Sequence, residues 1–335
     1  MLRRSATLPF ILLAVVLASS HVFAQTGKKP AQADKPAIIW EDPGDIKSKN
    51  LFYGLGGKKD EPHGTFKFVE EDKHGHSPKF DVEDQAGKKW RAKLGAEAQP
   101  EPVASRLLWA VGYFTNENYY LPELTVEGLP GKLSRGQEFV VPPDHVKGVR
   151  LQRHPKHEKK AGPWDWRHNR FLGTREFNGL RVMMALFSNW DLKDDNNAIY
   201  EDESSGEQFY EVTDVGSSFG EAGRRYRDVP SKNNLKAYRK TKFISKITPD
   251  YVDFNYPHLP PLLYVFALPY YFQEVHVRWV GKHIPRKDAK WIGSLLTQLT
   301  PEQIRDAFRA GGYSPDKIEA FTAVVQKRIA ELNEL

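Results

Sequence analysis

The chain has 335 residues, 40% hydrophobic and 27% charged, ordinary values for a globular protein large enough for one two-lobed domain or two small ones. A formal charge of +6 suits an anionic ligand but is too dilute over this length to imply nucleic acid. The absence of cysteine excludes disulfides, thiolate zinc sites and a lipidated-cysteine anchor, so stability has to come from the core.

Residues 1–24 read as a signal peptide. Arg3 and Arg4 make a basic start, residues 8–18 are apolar apart from Pro9, and Val22-Phe23-Ala24 offers the side chains a signal peptidase reads. An uncleaved anchor is the alternative, but the apolar run falls short of the about 20 residues that span a bilayer. Residues 262–272 are also apolar, yet Pro269 and two tyrosines there favour a buried segment. The expected location is therefore periplasmic or secreted, with no transmembrane domain once the leader is removed. Residues 25–47, rich in Lys, Pro, Ala, Gln and Asp, read as a flexible tether with a possible docking peptide at Trp40.

From residue 48 to 155 the pattern predicts a β-rich lobe. Residues 65–69, 79–82 and 90–94 alternate like strands, separated by turn signals at 61–64 and 74–78. A helix opens at Glu101 and Pro102, carries Val103, Leu107, Leu108 and Val111 on one face, and closes at Gly112. Residues 119–126 and 148–151 predict further strands, and 154–170 a polar, aromatic loop. From 156 to 335 the chain is expected to be mainly helical. A helix begins at Thr174, buries Leu180, Met183, Met184 and Phe187, and runs into a polar loop. Two strands, 198–200 and 208–213, follow around a reversal at 202–206. Residues 221–245 are basic and irregular, a possible dock for an acidic substrate or a solvated charged face. Thr300-Pro301-Glu302-Gln303 predicts a capping box, and Ser314 starts a last helix. The whole is α+β with two lobes and a ligand cleft between them.

Chemistry concentrates in the polar loop. Asp191 and Asn196 are five residues apart, with Lys193 between them, and Asp214 emerges from the following strand just before Gly216. One carboxylate to orient a nucleophile, and an amide and a second carboxylate to hold a divalent metal, are the parts of a phosphoryl-transfer site. Lys93 near a strand end and Glu101 at a helix start can form an ion pair whose ammonium also reaches phosphate oxygens. Glu97 is a rival to Glu101, and Asn197 to Asn196. His63, His74 and His76 read as a solvated loop rather than a metal cluster. Ser217-Ser218 lacks the setting of a hydrolase nucleophile.

Asp191-Leu192-Lys193-Asp194-Asp195-Asn196 and Asp214-Val215-Gly216 resemble the catalytic loop and the metal-binding Asp-x-Gly of the protein-kinase-like superfamily. The likeness is to its atypical members, the HipA-like, spore-coat CotH-like and secreted kinases. The chain also resembles exported bacterial proteins that share Gly173-Thr174-Arg175-Glu176. The resemblance spans about residues 50 to 310 and implies a two-lobed kinase-like fold that binds ATP with Mg²⁺ or Mn²⁺. It makes Asp191 the base or orienting residue and Asn196 and Asp214 metal ligands; Lys193, by its place between Asp191 and Asn196, could neutralise a transferring phosphoryl group. Lys93 would contact phosphates, Glu101 would hold Lys93, and Gly54 and Gly56 are the nearest match to a glycine loop. The partners implied are a nucleotide and an unknown hydroxyl acceptor. The departures are Asn189-Trp190 before Asp191, Val215 in place of an aromatic residue, and no full glycine-loop pattern. They keep open a catalytically inactive pseudokinase, or an envelope binding or scaffold protein.

Overall fold

The computed structural model describes residues 35–75, 77–153, 158–221, 232–256 and 275–335. The expected signal peptide, residues 25–34 of the expected tether, residues 222–231 of the basic tract and the apolar run at 262–272 lie outside the described residues. The chain from Pro36 to Leu335 packs as one unit.

A two-residue strand, β1 (Ala37–Ile38), is followed by β2 (Thr65–Asp72), β3 (Lys79–Glu83), β4 (Lys89–Lys93), β5 (Glu117–Glu127), β6 (Val140–Val141) and β7 (His145–Arg153). Hydrogen-bonded neighbours run β4-β3-β2-β5-β7, and β7 returns to pair with β4, so the sheet closes on itself and hides its edges. Period-2 alternation fills the inside. Phe66, Phe80, Val82, Trp90, Ala92, Val149 and Leu151 form its core. Residues between them, Lys93 and Arg150 among them, therefore point outward.

Helix α1 (Pro100–Ala110) lies on that outer surface, with Pro tolerated in its first turn. It joins a larger second core through Val103, Ala104, Leu107 and Leu108. The centre of that core is α2 (Arg175–Phe187), which starts at Thr174, whose hydroxyl accepts from Phe177 N, and is buried from Phe177 to Phe187. A four-stranded sheet, β1-β10-β9-β8, sits beside it, built from β8 (Glu158–Gly162), β9 (Asn197–Asp202) and β10 (Gln208–Val212). The C-terminal region adds α3 (Leu235–Lys240), a small sheet of β11 (Ile244–Ile247), β12 (Tyr251–Phe254) and β13 (Ile284–Pro285), then α4 (Arg286–Leu296), α5 (Pro301–Ala310) and α6 (Pro315–Asn333). The capping box at Thr300 and Gln303 is formed. The fold is α+β, β-rich first and mainly helical later.

Three expectations differ from what the chain does. Residues 36–47 are not a free tether: β1 pairs with β10, Ile39 is buried, and Trp40 donates to Val111 O at 2.7 Å while its ring meets Trp291 edge-on. Part of the expected loop at 154–170 is the edge strand β8, held by backbone pairing to β9 despite its lysines, which are the charges that discourage a further strand from adding. The helical half also carries β11–β13, whose strands are too short to show a period.

Candidate functional site

Two pieces of local geometry build the site. The first is the β9–β10 hairpin. Val212 pairs with Asn197, so the residue entering β9 and those leaving β10 are neighbours. Asn196 O accepts from Thr213 N at 2.8 Å and Asp214 N at 3.3 Å. This joins the 188–196 loop to Asp214. Within the loop Trp190 and Leu192 are buried, leaving Asp191 and Lys193 to face outward. Lys193 Nζ lies 2.9 Å from Asp191 Oδ1, Asn189 Oδ1 accepts from Asp191 N at 3.2 Å, and Asn196 Nδ2 donates to Asp191 O at 2.6 Å. Asn197 does a different job: it is fully buried and its Nδ2 donates to Trp164 O.

The second piece is the outer face of β4 under the start of α1. Lys93 Nζ lies 2.7 Å from Glu97, 3.2 Å from Glu101 and 3.0 and 3.1 Å from the two oxygens of Asp214. Lys93 and Asp214 are 121 residues apart in sequence. Gly216 explains how the two pieces approach. A Cβ there would come within 2.7 Å of Glu97 Cβ and 3.1 Å of Glu101 Oε2. Its amide donates to Asp214 Oδ1 at 3.3 Å.

The rivalry between Glu97 and Glu101 dissolves, since both touch Lys93. Burial alone would lower the Lys93 pKa, but Glu101, Asp214 and Glu97 together outweigh it and raise the pKa, so the ammonium stays charged. Burial pushes the Glu101 pKa up, with Arg150 and then Lys93 opposing it. Burial also works against ionised Glu97, yet Lys93 and Lys232 prevail and hold its pKa well below the carboxylate range.

Several participants are not singled out by the sequence pattern. Ser77, in the turn between β2 and β3, donates to Glu97 Oε2 at 2.8 Å, and Ser217 donates to Glu97 Oε1 at 3.2 Å. Lys232 also pairs with Glu97. Arg150 Nη2 lies 3.1 Å from Glu101 Oε1. The turn that reaches the cluster is thus 73–78, read in the sequence only as a turn signal. Gly54 and Gly56 sit elsewhere. Gly54, at φ 72°, packs on the Arg106 side chain, and Gly56 faces Tyr119 and Glu117. Arg106 in turn donates to Phe52 O and Tyr53 O, so this glycine turn wraps a buried arginine.

The other candidates separate cleanly. Trp164 and Trp166 are buried against each other and Phe177, pinning the core. His74 is exposed and bonded to Asp72, and His76 lies outside the described residues. Ligand atoms of Asp165, Asp194 and His276 come within 4.8 Å of one another. Asp165 is already engaged there by Arg167 N and His168 Nδ1. The Asp194 pKa is raised by burial and by Asp165.

No helix among the described residues is long and apolar enough to cross a membrane. No protein-family model matches the chain, and no curated protein matches it. Among solved structures, the Helicobacter pylori proinflammatory kinase CtkA is similar with a TM-score of 0.46 and 10% identity, over 81% of this chain and 97% of that one. That overlap is partial and assigns no role to any residue here.

Proposed function

We propose that the chain is an atypical, kinase-like phosphotransferase that uses a nucleotide and a divalent cation to phosphorylate a hydroxyl acceptor. The carrying observation is the meeting of Lys93 with Asp214 at 3.0 Å, beside a loop that presents Asp191 and is bonded to Asp214 through Asn196. The donor set fits the cation. Asp214 offers carboxylate oxygens with 36% of its side chain exposed, and Asn196, whose Nδ2 is committed to Asp191 O, offers Oδ1. Both are hard oxygen ligands suited to Mg²⁺ or Mn²⁺. A cation held there would neutralise charge on the phosphate oxygens.

This chain's own groups do the rest. Lys93 exchanges its bonds to Asp214 for a phosphate oxygen, while Glu97 and Glu101 keep the ammonium in place. Asp191 orients the acceptor hydroxyl and takes its proton on a carboxylate oxygen. Lys193, 2.9 Å from that carboxylate, supplies positive charge beside the transferred group. Export, periplasmic or fully secreted, belongs to the same proposal and rests on the composition of residues 1–24.

Asp191→Ala tests the assignment. Nucleotide affinity is expected to stay within about threefold while transfer falls by about a thousandfold or more, because positioning and charge carry such reactions. Equal transfer by purified variant and parent removes Asp191 from the chemistry. One observation favours a second reading, binding without transfer: Lys93 spans both oxygens of Asp214. In that case the parent protein binds ATP with Mg²⁺ but releases no ADP and labels no acceptor.

A further inference from the structure

We infer that Arg150 is a positioning residue, which shares the buried Glu101 carboxylate with Lys93 and so keeps the Lys93 ammonium turned toward Asp214 and the phosphates. The inference rests on the nucleotide reading above and extends it to a residue outside the lysine–glutamate–aspartate set.

The strand register carries the argument. Arg150 on β7 is the direct cross-strand partner of Lys93 on β4. Both point out of the closed sheet, because Val149 and Leu151 on one strand and Ala92 on the other fill its core. Two cations directly opposite each other repel, and both are buried, Lys93 at 5% exposure and Arg150 at 3%. Glu101, with no exposure, lies between them and meets each with a different oxygen: Oε1 to Arg150 at 3.1 Å and Oε2 to Lys93 at 3.2 Å. Arg150 also donates through Nη1 to Gln152 Oε1, which fixes its planar fork.

The consequence falls on Lys93. An ammonium has three donors, and Glu97, Glu101 and Asp214 take them. A phosphate can enter only by replacing one of these, and Asp214 is by far the most exposed of the three. With Arg150 in place, Glu101 is already half neutralised and holds Lys93 without monopolising it. Remove the guanidinium, and a buried carboxylate is left with Lys93 as its main counter-charge. It then draws the ammonium inward, away from Asp214.

Arg150→Met, Arg150→Lys, Glu101→Gln and the Glu101→Gln/Arg150→Met double variant test this, with ATP and Mg²⁺ as the probe, affinity read by calorimetry and folding by thermal melts. Arg150→Met is expected to melt about 6–10 °C below the parent, the cost of taking one of two counter-charges from a buried carboxylate in a chain of this size. The double variant should regain at least half of that, because the charge is gone. Arg150→Met should weaken ATP binding about tenfold, Arg150→Lys no more than about threefold, and the double variant should bind more tightly than Arg150→Met. If Arg150→Met does not fold, Arg150→Gln takes its place and must show the same loss. A folded Arg150→Met that binds ATP like the parent overturns the inference and leaves the nucleotide reading standing. So does a double variant that melts no higher than Arg150→Met. A parent protein that does not bind ATP overturns both.

Discussion

Asn196 and Asn197 are adjacent, chemically identical and opposite in role. Asn196 is the last residue before β9 and its backbone carbonyl ties the polar loop to Asp214. Asn197 is the first residue of the strand, turned into the core toward Trp164. Only the register of the hairpin separates them, and register is a tertiary property that a motif does not contain. The same holds for Arg150. A lone arginine between Val149 and Leu151 is visible in the sequence as a charge in an apolar strand, but its partner on another strand is not. Asp191 and Asp214, by contrast, stand out as candidates because residue type and spacing mark them, whereas Lys93 is one lysine in a basic region that only the resemblance to a family singles out. Gly216 shows how tightly the pieces meet. Its backbone needs no unusual conformation, so the effect of a side chain there is purely steric. Gly216→Ala is expected to cost about 1–3 kcal/mol in urea unfolding, because the added carbon meets the Glu97 Cβ, which has no flexible end to move aside. An alanine variant of parental stability contradicts that packing.

At the scale of elements, long periodic segments are legible and short or covered ones are not. The strands β2 to β5, α1, α2 and the Thr300 capping box follow from alternation, helical spacing and cap residues. Strand β8 has no apolar alternation because it forms an edge, and β13 has two residues. The turn from β2 to β3 matters most for the site, since Ser77 on it reaches Glu97. Asp72 anchors that turn. Its carboxylate accepts from His74 N at 2.9 Å and pairs with Lys79 and Arg91, each at 3.3 Å. Burial works against its charge, but the His74 amide and ring and Lys79 overcome this and lower its pKa from 3.8 to about 2. A carboxylate with a depressed folded-state pKa stabilises the fold fully above its unfolded value. It loses that contribution as pH falls through the folded one. Asp72→Asn is therefore expected to lower the melting temperature at neutral pH, with the gap to the parent closing between pH 3.8 and about 2. A gap that is constant across this range contradicts the assigned role.

Over the whole molecule, two cores meet at α1. The closed sheet supplies Lys93 from its outer face, the second core supplies the polar loop and Asp214, and the first turn of α1 supplies Glu101 between them. The division into a β-rich part and a helical part can be read from the order of predicted elements. That residues 36–47 belong to the folded unit cannot, because their composition is that of a linker and their anchors, Ile39, Trp40 and Ile46, are few. The proposed function makes one strong demand: side chains 121 residues apart in sequence must act on one ligand. Titration of the parent, Lys93→Ala and Asp214→Ala with ATP, each with and without Mg²⁺, measures this most directly. The parent is expected to bind in a Mg²⁺-dependent way. Lys93→Ala should weaken binding about tenfold or more whether or not metal is present, and Asp214→Ala should abolish the metal dependence. Unchanged affinity and unchanged metal dependence in both variants, with both still folded, would contradict the account.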